Sequence, residues 1–276
     1  MSQQKKIEFI PATRDEEYGH QEVPEDLEID PIYALAPDVE AAFDLTAAAT
    51  AFPVDTALPN QGDGFYGYLT APKRFGIAAA IEAVVEVARI WSQRRPGGPF
   101  IGVGNISKEG GGPLPPHSSH QLGRDIDVRP MRNDGVNGPV TISQSAYSRS
   151  LTQELVDLFD ANAFLLVRRI LFNDSGVQGV GFFDGHDNHL HISLRFPNEG
   201  NAPPTLRNGS NRPAVRECQR RINFWIADSG AQLTPIAVDG DFGGQTDSAV
   251  IEFQRANNLD DDGVVGEQTW PTLPVE

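Results

Sequence analysis

The chain has 276 residues, enough for two domains of about 100–200 residues each. Its formal net charge of −16 disfavours nucleic acid and anionic membranes as partners, because both bind basic surfaces. A single cysteine excludes an internal disulfide and a cysteine-rich zinc site. We see no apolar run of signal-peptide or membrane-span length and expect no membrane insertion. The protein would then be exported by a non-Sec route, be released by lysis, or have lost its signal.

Residues 1–59 are acidic and contain several prolines, which predicts an extended arm that is either disordered or wrapped around the next domain. Residues 60–197 mix helical and alternating apolar patterns. The helices are predicted at 75–95 and 148–162, and strands at 100–104, 125–128, 164–172 and 189–194. This pattern predicts an α+β domain in which helices pack on an antiparallel sheet.

Residues 198–204 have the composition of a linker, and residues 205–276 follow as a separate small domain. Apolar spacing predicts three helices there, at 214–227, 245–256 and 268–273, so this domain should be all-α. An Asp-Gly turn precedes each of the last two helices, at Asp239 and Asp262. The domain contains no histidine, and we assign it no catalysis.

Histidines are concentrated in two short stretches of the second domain. His117 and His120 lie in the stretch that ends at Asp127, and His186, His189 and His191 lie in a second stretch. These are five of the six histidines of the chain. Imidazole and carboxylate are ligands of zinc, and a catalytic zinc commonly has three protein ligands and one open position. The clusters therefore predict a Zn²⁺ site.

Alternation of polar and apolar residues places the candidate ligands. Asp125 and Asp127 would share one face of a strand, and His189 and His191 one face of another. Two neighbouring antiparallel strands could then bring Asp127 and His191 together, with His120 supplied by the preceding loop. The residues thus predict the ligands His120, Asp127 and His191, with His189 beside them.

The motifs of residues 60–196 together resemble the penicillin-insensitive murein endopeptidases. These belong to a wider group of zinc peptidases that also contains D-Ala-D-Ala dipeptidases and lysostaphin-type enzymes. The matching pieces are Gly104-Asn-Ile-Ser, Gly110-Gly-Gly, His117-Ser-Ser-His-Gln-Leu-Gly-Arg-Asp-Ile-Asp and Gly185-His-Asp-Asn-His-Leu-His.

The resemblance implies that His120, Asp127 and His191 bind zinc, that His189 is the catalytic base and that His186 assists it. It also places His117 among the metal-site residues, where it either binds the ion or orients the site. The implied reaction is hydrolysis of the murein peptide cross-link, in particular the bond from D-Ala to meso-diaminopimelate.

Residues 205–274 resemble the small three-helix peptidoglycan-binding domain. The matching pieces are Leu206-Arg-Asn-Gly-Ser, Val215-Arg-Glu-Cys-Gln-Arg-Arg-Ile, Val238-Asp-Gly-Asp-Phe-Gly, Phe253-Gln-Arg and Asp262-Gly-Val-Val-Gly. Peptidoglycan is therefore the implied partner, and the periplasm or cell wall is the implied place of action. Cell-wall remodelling, phage lysis by an endolysin and delivery as an antibacterial effector all fit.

Two other functions remain open at this point. One is a D,D- or L,D-carboxypeptidase or dipeptidase acting on free muropeptides, although a small soluble substrate needs no wall anchor. The other is a non-catalytic wall-binding protein with a structural metal, against which the presence of His189 argues.

Overall fold

The computed structural model describes residues 51–117 and 119–275, so most of the predicted acidic arm lies outside the described residues. The strands are β1 Thr56–Ala57, β2 Gln61–Gly62, β3 Phe65–Gly67, β4 Phe75–Gly76, β5 Ile101–Val103, β6 Asp125–Val128, β7 Val167–Leu171 and β8 Leu190–Leu194. The helices are α1 Ala78–Arg94, α2 Arg149–Asp160, α3 Pro213–Ser229, α4 Gly244–Ala256 and α5 Thr269–Thr272.

The main sheet has the strand order β2-β3-β5-β6-β8-β7, and β1 pairs with β4 in a separate two-stranded sheet. Neighbouring strands of the main sheet are antiparallel except β3 and β5, which are parallel. That pair is joined by a crossover through β4 and α1, as parallel neighbours require. The α+β class is confirmed, and the sheet is mixed because of this one pair.

Helices α1 and α2 pack against one face of the main sheet. Ile126 and Val128 of β6 and Ile192 of β8 are fully buried in the same apolar core as Trp91 of α1 and Phe159 of α2. Because side chains alternate along a strand, the residues between these apolar positions must point to the opposite face. The helices therefore leave that opposite face available for polar groups.

The same core reaches towards the N-terminus beyond residue 60. Val54 and Leu58 are 5% and 2% exposed and belong to this core, although residues 1–59 were predicted as an arm. At the other end, the core extends to Phe196. The domain boundaries remain predictions.

Helices α3, α4 and α5 enclose a second core, and the three predicted helices are confirmed. Its buried residues lie between Leu206 and Leu273, apart from Ala161, which directly follows α2. Each Asp-Gly turn is held by a buried glutamine of the preceding helix. Gln219 accepts a hydrogen bond from the backbone N–H of Gly240, and Gln254 accepts one from Gly263. The repeated turns therefore serve the packing of this unit.

Helix α3 joins the second core to the first through ion pairs. Arg94 of α1 donates two hydrogen bonds to Glu217 of α3, of 3.0 and 2.8 Å. Asp160, the last residue of α2, accepts a hydrogen bond from the Ala214 backbone N–H in the first turn of α3. A search of the described helices finds none long and apolar enough to span a membrane.

Candidate metal centre

The candidate metal centre lies on the sheet face opposite the helices, where β6 and β8 are paired. The pairing register sets Asp127 opposite His191 and Asp125 opposite Ser193. All four side chains are buried, with exposed fractions of 0–7%. The alternation predicted from the sequence is therefore present, and it brings Asp127 and His191 to one point.

His120 reaches this point from the loop before β6, as predicted. Its backbone has a φ of 63°, a left-handed conformation that is uncommon for a residue other than glycine. Its Nδ1 lies 3.0 Å from the carbonyl oxygen of Ile106, and its Nε2 lies 3.1 Å from Oδ1 of Asp127. A carbonyl bonded to one ring nitrogen fixes the ring, so the other nitrogen is held beside the carboxylate.

Gly123 provides the turn that returns the chain to β6. It has a φ of 65°, and a Cβ there would lie 2.9 Å from both the Gly76 Cα and the Ile77 backbone nitrogen. Only glycine avoids both the conformational strain and the backbone clash.

His191 is held between the two aspartates. Its Nδ1 lies 3.2 Å from Oδ1 of Asp127, and its Nε2 lies 3.4 Å from Oδ1 of Asp125. Ser193 donates a hydrogen bond of 2.6 Å to the same Asp125 oxygen. Asp125 thus contacts Nε2 of His191 while Asp127 contacts Nδ1. A carboxylate that contacts the second nitrogen of a metal-binding histidine is the usual carboxylate–histidine–metal arrangement.

His117 lies on the other side of His120, with a ring-centroid separation of 4.9 Å. His117, His120 and Asp127 each offer a ligand atom within 4.8 Å of the others, so this trio could also hold a metal. The amide nitrogen of Asn105 lies 2.9 Å from Nε2 of His117. With that amide donating, the ring proton resides on Nδ1, and the amide and an ion would compete for the lone pair on Nε2.

His189 and His186 lie at the edge of the centre. In the tautomer of His189 that leaves the lone pair on Nε2, the Nδ1 donates a hydrogen bond of 2.7 Å to Oδ1 of Asn188. The Nε2 of this ring lies 4.0 Å from Oδ1 of Asp127. The rings of His186 and His189 are 4.6 Å apart. The Nδ1 of His186 lies 3.0 Å from the Asp184 carbonyl oxygen, so this ring is also held by backbone.

Two buried atoms at the middle of the centre make no well-aligned hydrogen bond. They are Oδ2 of Asp127 and Nε2 of His120, and the latter lies 3.1 Å from Oδ1 of Asp127 but is not aligned with it. Buried polar atoms nearly always make aligned hydrogen bonds, so two neighbouring residues that each leave such an atom without one call for an additional group. In the part of the chain that the structure describes, the ion-pair partners of Asp125 and Asp127 are all histidines. This mixture of imidazole and carboxylate fits a zinc ion.

The protonation equilibria differ between the histidines. Burial lowers the pKa of His189 to about 4, which leaves its ring neutral near pH 7. Burial also opposes the charged form of His191, but hydrogen bonds to Asp125 and Asp127 outweigh it and raise that pKa to about 9. For Asp127, burial is outweighed by neighbouring histidines, chiefly the charge of His120, which hold its pKa well below the usual range. A cation would therefore meet an ionised carboxylate and displace a proton from His191.

Sequence reasoning did not identify three polar residues that orient these histidines: Asn105, Asn188 and Ser193. Ser193 carries a detectable signal, because it follows His191 by two positions on the same strand face. Asn188 precedes His189 directly, but the sequence does not show that its side chain turns back to contact the His189 ring. Asn105 is twelve residues from His117 and meets it only through the fold.

Two comparisons with known proteins match parts of the chain. Residues 211–273 match the model of the family described as "Putative peptidoglycan binding domain". The protein named "Zinc D-Ala-D-Ala carboxypeptidase" from Streptomyces albus G is 44% identical over 66 residues, which is 24% of this chain and 24% of that protein. The chain thus spans about a quarter of the length of this curated relative. Both matches concern a minority of the chain, and the first of them lies wholly in the α3–α5 unit.

Proposed function

We propose that the protein is a zinc-dependent peptidoglycan peptidase whose zinc ligands are His120, Asp127 and His191. The observation that carries the proposal is that His120 and Asp127 each bury a polar atom without an aligned hydrogen bond, while the Nδ1 of His191 lies 3.2 Å from the same carboxylate. His117 stands in this proposal as an orienting residue, because a fourth protein ligand would close the position that a catalytic zinc keeps open.

A bound zinc ion supplies Lewis-acid polarisation of the scissile carbonyl and lowers the pKa of an attached water. The chain supplies the proton transfer. His189 is neutral near pH 7, and its Nε2 faces the centre, so it can accept a proton from the attacking water and donate it to the leaving amine. His186 packs beside His189 and supports its orientation.

The proposed substrate is peptidoglycan, and the proposed bond is the murein cross-link from D-Ala to meso-diaminopimelate. Two features support this polymer: the family match at residues 211–273 and the name of the partly similar zinc carboxypeptidase. The protein would act in the periplasm or the cell wall. The second candidate is a D-Ala-D-Ala carboxypeptidase, which the name of that relative favours.

Digestion of purified cross-linked sacculi, with products identified by mass spectrometry, tests the proposal. An endopeptidase converts cross-linked dimers to monomers without releasing free D-Ala, whereas a carboxypeptidase releases D-Ala and leaves cross-links intact. The His189→Ala variant is the matched control, because it should retain zinc. If the zinc-loaded wild type binds sacculi and yields neither product, the protein is a wall-binding protein and the proposed enzyme is wrong.

We propose that residues 205–276 anchor the protein to the wall and take no part in the chemistry. The second core consists of residues of this segment apart from Ala161, so the segment should fold by itself. We expect the isolated segment to sediment with sacculi at low and moderate salt, since an acidic protein does not bind an anionic wall by simple charge attraction. Retention in the supernatant under both conditions would refute the anchor.

A further inference from the structure

The sheet face that carries the metal centre continues beyond Asp127 to Arg129. The backbone N–H of Arg129 donates to the carbonyl of Gly102 at 2.9 Å, so the pairing of β6 with β5 continues through this residue. Val128 between them is fully buried in the core of the opposite face. Arg129 therefore shares the face of Asp127, about 7 Å further along the strand.

Arg129 is buried and has no acidic partner among residues 51–117 and 119–275. Its side chain is 7% exposed, its guanidinium carbon lies 4.2 Å from the ring centroid of Tyr68, and it hydrogen-bonds the hydroxyl of Tyr66. By contrast, Arg132 in the same cleft forms an ion pair of 2.5 Å with Asp134. Buried arginines are rarely left without an anion, so Arg129 calls for one.

Two glycines of β5 and its extension make room for this arrangement. A Cβ at Gly102 would lie 2.8 Å from the Tyr66 hydroxyl oxygen and 3.0 Å from Cδ of Arg129. A Cβ at Gly104 would overlap the hydroxyl of Tyr68. Because β5 and its extension have no side chain at these positions, both tyrosines lie across it and hold the guanidinium on the sheet face that carries Asp127.

We propose that Arg129, positioned by Tyr66 and Tyr68, binds a substrate carboxylate carried on the carbon next to the scissile nitrogen. This inference rests on the proposed function and specifies its substrate class. In a cross-link from D-Ala to meso-diaminopimelate, the carbon bearing the scissile nitrogen also bears a free carboxylate. The same is true of the terminal residue in D-Ala-D-Ala, whereas an internal bond of an ordinary peptide carries an amide there.

The charge and spacing of the site agree with that role. A guanidinium binds a carboxylate through two parallel hydrogen bonds, and such charge-assisted bonds strengthen in a buried site. A carboxylate one carbon from the scissile nitrogen lies within several ångströms of the scissile carbonyl, which matches the two-residue spacing of Asp127 and Arg129. The overall charge of −16 makes this local cation the attractive position for an anionic group.

The test compares binding of N-acetyl-D-alanyl-D-alanine with binding of its C-terminal amide. The protein is the zinc-loaded full chain with His189→Ala, which prevents turnover, and affinities are measured by calorimetry. We expect the carboxylate to bind at least about tenfold more tightly than the amide, the range of a charge-assisted hydrogen bond. Adding Arg129→Gln should reduce that preference to less than threefold, and Arg129→Lys should retain part of it.

Arg132→Gln is the matched control, because Arg132 lies in the same cleft but is already paired with Asp134, so its loss should leave the preference unchanged. Equal binding of the acid and the amide, or a full preference in a folded Arg129→Gln protein, would overturn the inference. A protein that lacks hydrolysis of sacculi but keeps an Arg129-dependent preference would refute only the proposed function. Hydrolysis without any such preference would refute only the carboxylate site.

Discussion

The protein buries charged groups in two regions that treat them differently: the metal centre and the interface between α1, α2 and α3. At the interface, Glu217 is fully buried and contacts Arg94 and Arg221, at 2.8 and 2.7 Å. Asp157 of α2 is also fully buried and contacts Arg220 at 2.6 Å. Each carboxylate there meets a guanidinium, whose charge is permanent at all relevant pH values.

At the candidate metal centre, Asp125 and Asp127 are also buried, but within the described residues all their ion-pair partners are imidazoles. An imidazole can lose its proton and become a metal ligand, whereas a guanidinium cannot. A carboxylate paired with arginine is therefore structural, and a carboxylate surrounded by histidines can accept an exchangeable cation. The identity of the partner, arginine or histidine, therefore distinguishes the interface from the candidate metal centre, which the burial of the carboxylates alone does not.

The largest effect is expected from Asp127→Ala. Because Asp127 contacts His120, His191 and His189, its loss should reduce bound zinc from about one per chain to near zero and abolish hydrolysis. The fold should persist, since the first core does not include this side chain. Elemental analysis with circular dichroism measures both quantities, and a folded variant that still binds one zinc would show that Asp127 is not a ligand.

Next, His189→Ala should keep its zinc and lose about 10²–10⁴-fold in rate, the usual contribution of a general base. The measurement is the initial rate on cross-linked muropeptides, together with zinc content. His186→Ala is the comparison variant and should lose less, because its ring is 6.0 Å from that of His191 and is held by backbone. A loss below tenfold for His189→Ala would transfer the base role to His186.

At the interface, Arg94→Ala should lower the unfolding free energy by less than the about 3–5 kcal/mol of a fully broken buried ion pair, because Glu217 keeps Arg221 as a partner. Zinc content should not change. Arg255→Ala is the control, because its ion pairs with Glu252 and Asp261 are exposed and should contribute no resolvable stability. Equal effects of the two substitutions in denaturant titrations would show that burial does not strengthen the interface pairs.

A smaller effect is expected from Asp125→Asn, which keeps the size of the side chain but removes the charge that faces His191. Outer-shell partners of this kind typically contribute about 10–100-fold in metal affinity. Competition with a zinc chelator measures the change. Unaltered affinity would show that the charge of Asp125 does not support the metal-binding orientation of His191.

Local patterns in the sequence predicted the centre better than they predicted the interface. A period of two places Asp125 with Asp127 and His189 with His191, and neighbouring strands complete the site. The pair of Arg94 and Glu217 is separated by 123 residues, and no local pattern links them. Residues 198–204 have the composition of a linker, but composition does not show that α3 packs against α2 once the linker ends. The parallel pairing of β3 with β5 also could not be predicted from local patterns, because it depends on a crossover between strands that are distant in sequence.

We propose that the buried Nε2 of His120 and Oδ2 of Asp127, which make no aligned hydrogen bond, are there to bind a metal. Crystals of the zinc-loaded protein, measured on both sides of the zinc absorption edge, test it most directly. We expect one anomalous peak bound by His120, Asp127 and His191, with ligand distances of about 2.0–2.2 Å. Absence of a peak there, or a peak bound by His117 in place of His191, would contradict the account.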